Sequence, residues 1–434
     1  MLAIRWIAAA LLGCCSALLL SGLAPRDVAA EADWTVIFSG EMKGKLEPCG
    51  CDSPQMGGLS RRATLIRQRL HDPRLVPVEN GDLVDVVSRQ SELKLTVQMA
   101  YFQALKYAAV NLGAKDLAMG IPLLQTVAQS YKVPVLCGNL VDENGAHPFP
   151  EHTLREDGKG GSLMVIGVIS PSKAQLVEAA CPGYSLGPVE PALERAKAAL
   201  PAGSPAILLY QGDVEEAKAI AKKSPWLKLI VYSDAGGSWK EPVTVEGVRL
   251  VYAGDRGRAV GEARIGTDVT VVRHNLGPEF ANDKQTATIR DMYIEAVRDG
   301  GFMAEFPRQP LPESVKYVGS KVCGECHDAA YEIWKKSKHS HAYKTLEDVK
   351  HDLDPDCVYC HVVGMKHIGG FVSMKETPEL KDVGCESCHG PGSKHVADYN
   401  VSLKTEGEKT CISCHDAENS PRFDFEKYWK QIEH

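Results

Sequence analysis

The sequence predicts two modules in series: a layered α/β domain, then a mainly α-helical domain rich in cysteine and histidine. Three observations carry this. Apolar, strand-like runs alternate with helical patterns over residues 33–305. A proline-rich break, EFPRQPLPES, follows them. Eight of the fourteen cysteines then fall after residue 320, in four copies of one pentapeptide. A chain of 434 residues is long enough for about two or three domains. With 44% hydrophobic and 24% charged residues it has the composition of a folded protein. A formal net charge of -7, with no long basic run, argues against a nucleic-acid partner, whose phosphates demand clustered cations.

The first 32 residues read as an export signal. Arg5 precedes an uncharged apolar stretch over residues 6–24, and small residues at Ala30 and Ala32 suit cleavage before Asp33. The mature protein is therefore expected in the periplasm or otherwise exported. The apolar stretch is also close to the ~20 residues that a spanning helix needs, and Leu11-Leu12-Gly13-Cys14 loosely resembles a lipoprotein box. Membrane association is accordingly expected only through an uncleaved or lipidated N-terminus.

From Asp33 onward the elements can be taken in order. WTVIFSG (34–40), VPVLCGNL (133–140), LMVIGVIS (163–170), AILLYQGD (206–213) and LKLIVYSD (227–234) are apolar and rich in β-branched residues. Continuous runs of this kind suit strands buried on both faces. Between them, residues 59–70, 92–110 and 214–224 have helical patterns. Such alternation defines a layered α/β fold. Pro307, Pro310 and Pro312 place a linker at residues 306–314 and the second module at 315–434.

That second module contains Cys323-Gly-Glu-Cys326-His327, Cys357-Val-Tyr-Cys360-His361, Cys385-Glu-Ser-Cys388-His389 and Cys411-Ile-Ser-Cys414-His415. Zinc and haem both use cysteine and histidine. A zinc ribbon needs paired C-x-x-C but has no use for a histidine after every second cysteine. Two cysteines three apart lie about one helical turn from each other on the same face, so both sulfurs reach one porphyrin edge and the next histidine lies beneath the iron. Four covalently bound haem c groups are therefore expected. About 120 residues would otherwise build a marginal core, and the macrocycles supply the apolar interior. Each iron has a second axial position. His339, His341, His351, His367, His395 and His434 are the candidates for it.

The runs CGECHDAAYEIWKKSKHSHAYKTL, DPDCVYCHVVG and VGCESCHGPGSKH resemble the cytochrome c-554 family of exported tetrahaem cytochromes, over roughly residues 315–434. The family's W-x-x-S-x-H element falls on Trp334, Ser337 and His339, and its histidine after C-H-G-P falls on His395. The resemblance implies that these two histidines are distal ligands. His434, which closes the tail, is a third candidate. The fourth stays open among His341, His351 and His367, of which His367 lies soon after Cys360-His361. In that family one iron is five-coordinate, which the resemblance permits here.

The α/β module, over roughly residues 33–275, resembles the 5′-nucleotidase branch of the calcineurin-like metallophosphoesterases. VENGDLVD matches the family's G-D strand end, NLGAKDLAMG its G-N-H-E turn, and VPVLCGNLVD its asparagine-bearing strand. The ligands for two metal ions are mostly gone. The D-x-H element is Glu41-Met42-Lys43, and Gly113-Ala114-Lys115-Asp116 lacks the asparagine and the histidine. Gln211 stands where a histidine belongs, and the G-H-x-H element falls on Ser233-Asp234-Ala235-Gly236. Asp82 and Asn139 survive, while Lys43 and Lys115 would repel a dication. The domain is expected to be non-catalytic.

Cys49 and Cys51, in LEPCGCDSPQMGGLSRR (46–62), admit two readings. Disulfides to Cys137 and Cys181 suit an oxidising compartment. A replacement metal or redox site is the alternative.

These readings lead to an exported electron carrier with redox partner proteins, either other cytochromes or a quinone-linked reductase, and with the α/β domain docking or scaffolding. The alternative is a haem oxidoreductase acting on a small nitrogen or sulfur compound at one open iron. Whether the chain is an enzyme stays open at this point, and phosphatase activity is not expected.

Overall fold

The computed structural model describes residues 33–49, 54–233, 239–417 and 419–434. The leader at 1–32, Cys51 and most of Ser233-Asp234-Ala235-Gly236 lie outside the described residues. Among the described residues, no helix is long and apolar enough to cross a membrane.

The α/β module is built on two six-stranded sheets. In the first, Trp34–Ser39, Leu75–Asn80, Ala109–Asn111 and Val135–Leu136 run parallel, with Ala259–Ile265 and Val269–Asn275 added antiparallel at one side. In the second, Ser162–Ile169, Ala206–Gln211, Leu229–Tyr232 and Val248–Tyr252 are parallel, flanked by antiparallel His152–Glu156 and Val243–Val245.

The side-chain period of two explains the layering. Val36 and Phe38 point into one cluster with Val76, Val78, Ile207 and Leu209, so the two sheets pack face to face. Ile37, between them, points the other way, into a cluster with Leu65, Ile66, Leu95 and Phe102 from the covering helices. On the far side, Leu208 and Tyr210 meet Ala217, Ala221 and Leu193. The result is helix, sheet, sheet, helix. Central strands buried on both faces have no polar alternation to show, which is why they read as unbroken apolar runs.

The helical pattern at 59–70 is realised as Leu59–Arg67 and that at 214–224 as Val214–Lys223. Asp213 caps the latter with a box completed by Glu216, a device whose loss costs about 1 kcal/mol. The expected helix over 92–110 is instead Arg89–Ala104, and its last residues form the strand Ala109–Asn111. Lys106, at φ 53°, breaks the helix, and pairing with Leu75–Asn80 and Val135–Leu136 takes up Val110 and its neighbours.

Residues 306–314 do not swing free. Gln309 forms a parallel bridge with His367, Arg308 donates to the Phe371 carbonyl at 3.0 Å, and Phe306 stacks on Tyr359. Beyond them come short helices, chiefly Ser320–Gly324, Asp328–Lys336, Ala342–Asp348, Pro355–His361, Cys385–His389, Ser393–Ala397, Glu408–Cys411 and Phe425–Trp429. Their own buried apolar cluster is small, centred on Tyr343, Leu346, Val358, Val363, Met365 and Phe371.

Candidate functional site

Each C-x-x-C-H motif sits at a helical turn. The His327 amide donates to the Cys323 carbonyl at 2.9 Å and the His415 amide to the Cys411 carbonyl at 2.8 Å. This winding puts both sulfurs and the imidazole on one face. All eight motif cysteines are free thiols, and none is buried. Such a set is available for two thioether bonds per motif.

The imidazoles come in pairs. His327 faces His395 with ring centroids 6.0 Å apart, His339 faces His415 at 6.1 Å, and His389 faces His434 at 5.9 Å. Two metal–nitrogen bonds of about 2 Å each, with half a ring behind each nitrogen, span that gap. The hydrogen bonds fit the same assignment. Nδ1 of His395 meets the Val401 carbonyl at 2.7 Å and Nδ1 of His434 the Ile432 carbonyl at 2.9 Å. Nδ1 of His361 meets the Ala342 carbonyl at 2.7 Å, and Nδ1 of His415 meets Ser420 Oγ at 3.0 Å. A ring whose Nδ1–H is donated in this way presents its Nε2 lone pair to a metal. Burial, then the nearby His415 and His361, pushes His339 down to about 4, and burial also lowers His361 and His389. These rings are therefore neutral at pH 7, as ligation requires. A cavity of roughly 590 Å³ beside Cys388 and His389, walled by Leu311, Val315 and Leu403, supplies apolar surface. These residues fit haem.

The remaining candidates lie elsewhere. His367 Nδ1 pairs with the Tyr317 hydroxyl at 3.0 Å, His341 is exposed, and His351 is held by Glu47 at 3.1 Å and Asp354 at 3.4 Å. Among the described residues no second imidazole stacks opposite His361. The first and third motifs lie side by side: the Cys385 amide donates at 3.1 Å to Ser320 Oγ, on the helix Ser320–Gly324 that carries Cys323.

In the α/β module the positions expected to hold metal are occupied by internal ion pairs. Lys43 Nζ binds Asp255 at 2.6 Å and approaches Glu41 at 4.0 Å, while Lys115 pairs with Asp85. Burial raises Glu41 to about 7 against the pull of Lys43, with the neighbouring Asp82 and Asp255 adding to the rise. Asp116 takes backbone donors from Leu83 at 2.7 Å and Gly113 at 2.9 Å, and burial raises it to about 8. Of the two surviving ligand types, Asn139 spends its amide on Ile169 and Gly187, so Asp82 alone remains. A Cβ at Gly113 would lie 2.0 Å from Asp82 Oδ1, so the turn needs glycine even without a metal. Cys137 and Cys181 are buried free thiols, and Cys181 Sγ meets the Leu117 carbonyl at 2.8 Å, while Cys51 and the Cys49 side chain, their expected bridge partners, lie outside the described residues.

Sequence reasoning also missed the polar contact between the modules. His351, Asp354 and Cys357 bring an imidazole, a carboxylate and a thiol within ligand distance of one another. Cys357 belongs to a haem-attachment motif, and His351 and Asp354 already neutralise each other, so this group is read as an ion-pair strut.

Fold and site together define a multihaem c-type cytochrome module joined to a metallophosphoesterase-like domain. Residues 322–390 match the family described as Cytochrome c554 and c-prime, and residues 378–420 match the doubled CXXCH motif. Cytochrome c-554 of Nitrosomonas europaea is 37% identical over 78 residues, covering 14% of this chain and 33% of that protein. The chain thus spans about a third of the length of the curated relative it matches. The α/β part has the fold of sulfate thiohydrolase SoxB from Thermus thermophilus, with TM-score 0.54 and 15% identity over 63% of this chain and 62% of that one. The 5′-nucleotidase precursor of the same organism is similar at TM-score 0.53 and 16% identity, covering 73% and 68%. The calcineurin-like phosphoesterase YfkN of Bacillus subtilis gives 0.51 and 16%, covering 62% and 99%.

Proposed function

We propose that this protein is an exported tetrahaem electron carrier, acting in the periplasm or outside the cell, whose α/β domain serves as scaffold and docking surface. The observation that carries the reading is the set of facing imidazoles, 5.9–6.1 Å apart, at three of the four motifs. His327, His361, His389 and His415 are the proximal ligands, with His395, His434 and His339 distal to the first, third and fourth. An iron held by two imidazoles is coordinatively saturated, and the group it belongs to then supplies one-electron transfer. The chain's own residues orient the rings, hold His339, His361 and His389 neutral and set the first and third attachment points side by side. Redox partner proteins, either other cytochromes or a quinone-linked reductase, would deliver and remove electrons.

One observation favours a second reading for one site. His361 lacks a facing imidazole among the described residues, which leaves room for a small nitrogen or sulfur compound at its iron. His367 would close that position only by leaving Tyr317.

The test is a mass measurement and a pyridine haemochrome count on protein made in a host competent in cytochrome maturation, with electron paramagnetic resonance of the oxidised state. Four added porphyrins are expected. Low-spin signals with one high-spin component support an open site at His361, whereas purely low-spin signals support a carrier alone. Colourless protein overturns both.

A further inference from the structure

The helix Pro355–His361 carries both cysteines and the proximal histidine of the second motif, and the α/β domain grips its start. Asp354 is its N-cap, accepting from the Asp356 amide at 3.1 Å. Both carboxylate oxygens of Asp354 are also taken across the module boundary: Gln90 Nε2 donates at 2.8 Å and the Tyr293 hydroxyl at 3.2 Å. Lys94, buried on the helix Arg89–Ala104, pairs its ammonium with Asp356. His351 ties Asp354 to Glu47, whose other oxygen takes Arg290 at 2.6 Å. No other haem motif has such a seat among the described residues.

The charges in this seat balance. Lys94, His351 and Arg290 face Asp354, Asp356 and Glu47. Gly44, at φ 70°, packs against the lysine stem: a Cβ there would lie 3.1 Å from Lys94 Cδ. Residues 41–47 begin in the closed metal pocket, at Glu41 and Lys43, and end at Glu47 on the strut. The domain thus places a buried cation, Lys94, against the helix that carries the second motif.

We infer that the α/β domain forms the electrostatic seat of the second haem alone, with Lys94 the positioning residue that holds that haem's reduction potential up. The inference rests on the haem reading of Cys357, Cys360 and His361. Reduction adds one electron to the iron, so a fixed positive charge nearby stabilises the reduced form. Lys94 is buried while Asp356 is half-exposed, so salt screens the effect only in part.

The experiment is a spectroelectrochemical titration of the full, haem-loaded chain, comparing wild type, Lys94→Met, Lys94→Arg and the double variant Lys94→Met/Asp356→Asn. Lys94→Met should move one component of the titration, one haem's worth of absorbance, to lower potential and leave the others in place. Lys94→Arg should leave that component near its wild-type position, and the double variant, neutral again, should recover it. An unchanged titration of fully loaded Lys94→Met, or a shift shared by all components, overturns the inference. Should Lys94→Met fail to accumulate, Asp356→Asn reads the same seat from the other side. It must raise the same component, and no rise overturns the inference. A haem count below four instead strikes the reading on which the inference rests, so the two failures are distinguishable.

Discussion

His327 and His395 face each other with ring centroids 6.0 Å apart and planes 27° apart. One belongs to an attachment motif and the other to the short helix Ser393–Ala397, so a single iron would bridge two segments distant in sequence. The same holds for His389 with His434 and for His339 with His415. Distal ligation would therefore act as cross-linking for a module with little apolar core of its own.

Replacing one distal imidazole should open one iron without releasing its porphyrin, because the thioether bonds are made by other residues. In His395→Ala the haem count by mass should stay as in wild type, while the oxidised spectrum gains a high-spin component. Loss of a whole porphyrin would instead show that His395 is needed for attachment. No spectral change would remove it from the ligand set.

The second motif is expected to differ already in the wild type. His361 has its Nδ1 on the Ala342 carbonyl and no ring opposite it among the described residues. Carbon monoxide added to the reduced protein should therefore bind at one iron, and His395→Ala should bind it at two. Wild-type protein that takes up none would require a fourth ligand, and His367→Ala would then be the variant to examine.

How much of this could be read from the sequence follows from the range of each interaction. The attachment motifs are local, with both cysteines and the histidine within five residues, so spacing alone exposes them. The layered fold is legible because strands buried on both faces must be apolar throughout, as Ser162–Ile169 is beyond its first residue. Facing pairs such as His389 and His434 are long-range, and no local pattern announces them. The seat around Asp354 was illegible for the same reason, since Gln90, Tyr293, Lys94 and Glu47 look like ordinary helix and loop residues until the modules meet. The end of the pattern at 92–110 misled because helix-compatible apolar residues also serve a central strand, and only pairing decides.

The closed pocket should reveal itself through pH. Glu41 is raised to about 7 from an ordinary 4.5, with burial as the leading cause. The folded state thus holds a proton that the unfolded state releases, and stability falls as pH rises from about 4.5 to about 7. Glu41→Gln removes the buried charge while its amide oxygen can still accept from the Tyr252 hydroxyl. Its stability relative to wild type should be unchanged near pH 4 and should increase towards pH 8, by up to about 3 kcal/mol. Thermal unfolding at both pH values measures this, and a difference that does not grow with pH would assign Glu41 an ordinary carboxyl.

Arg62 and Glu79 make the most consequential pair inside the α/β domain. Both side chains are fully buried, Nη1 lies 2.8 Å from Oε2, and Ser39 Oγ adds a bond to the same oxygen at 2.7 Å. Burial pushes the Glu79 carboxyl up while Arg62 holds it down. Two charges taken out of water repay their desolvation only together, so breaking one costs about 3–5 kcal/mol, whereas removing both is often close to neutral. Arg62→Met should therefore lower the urea midpoint of the α/β domain, followed by far-ultraviolet circular dichroism, by an amount equivalent to about 3–5 kcal/mol. Arg62→Met/Glu79→Gln should recover most of that loss, since a neutral amide can keep the Ser39 contact. If the double variant is no more stable than the single one, the cost arises from the volume and packing of the arginine against Met42 rather than from an abandoned charge.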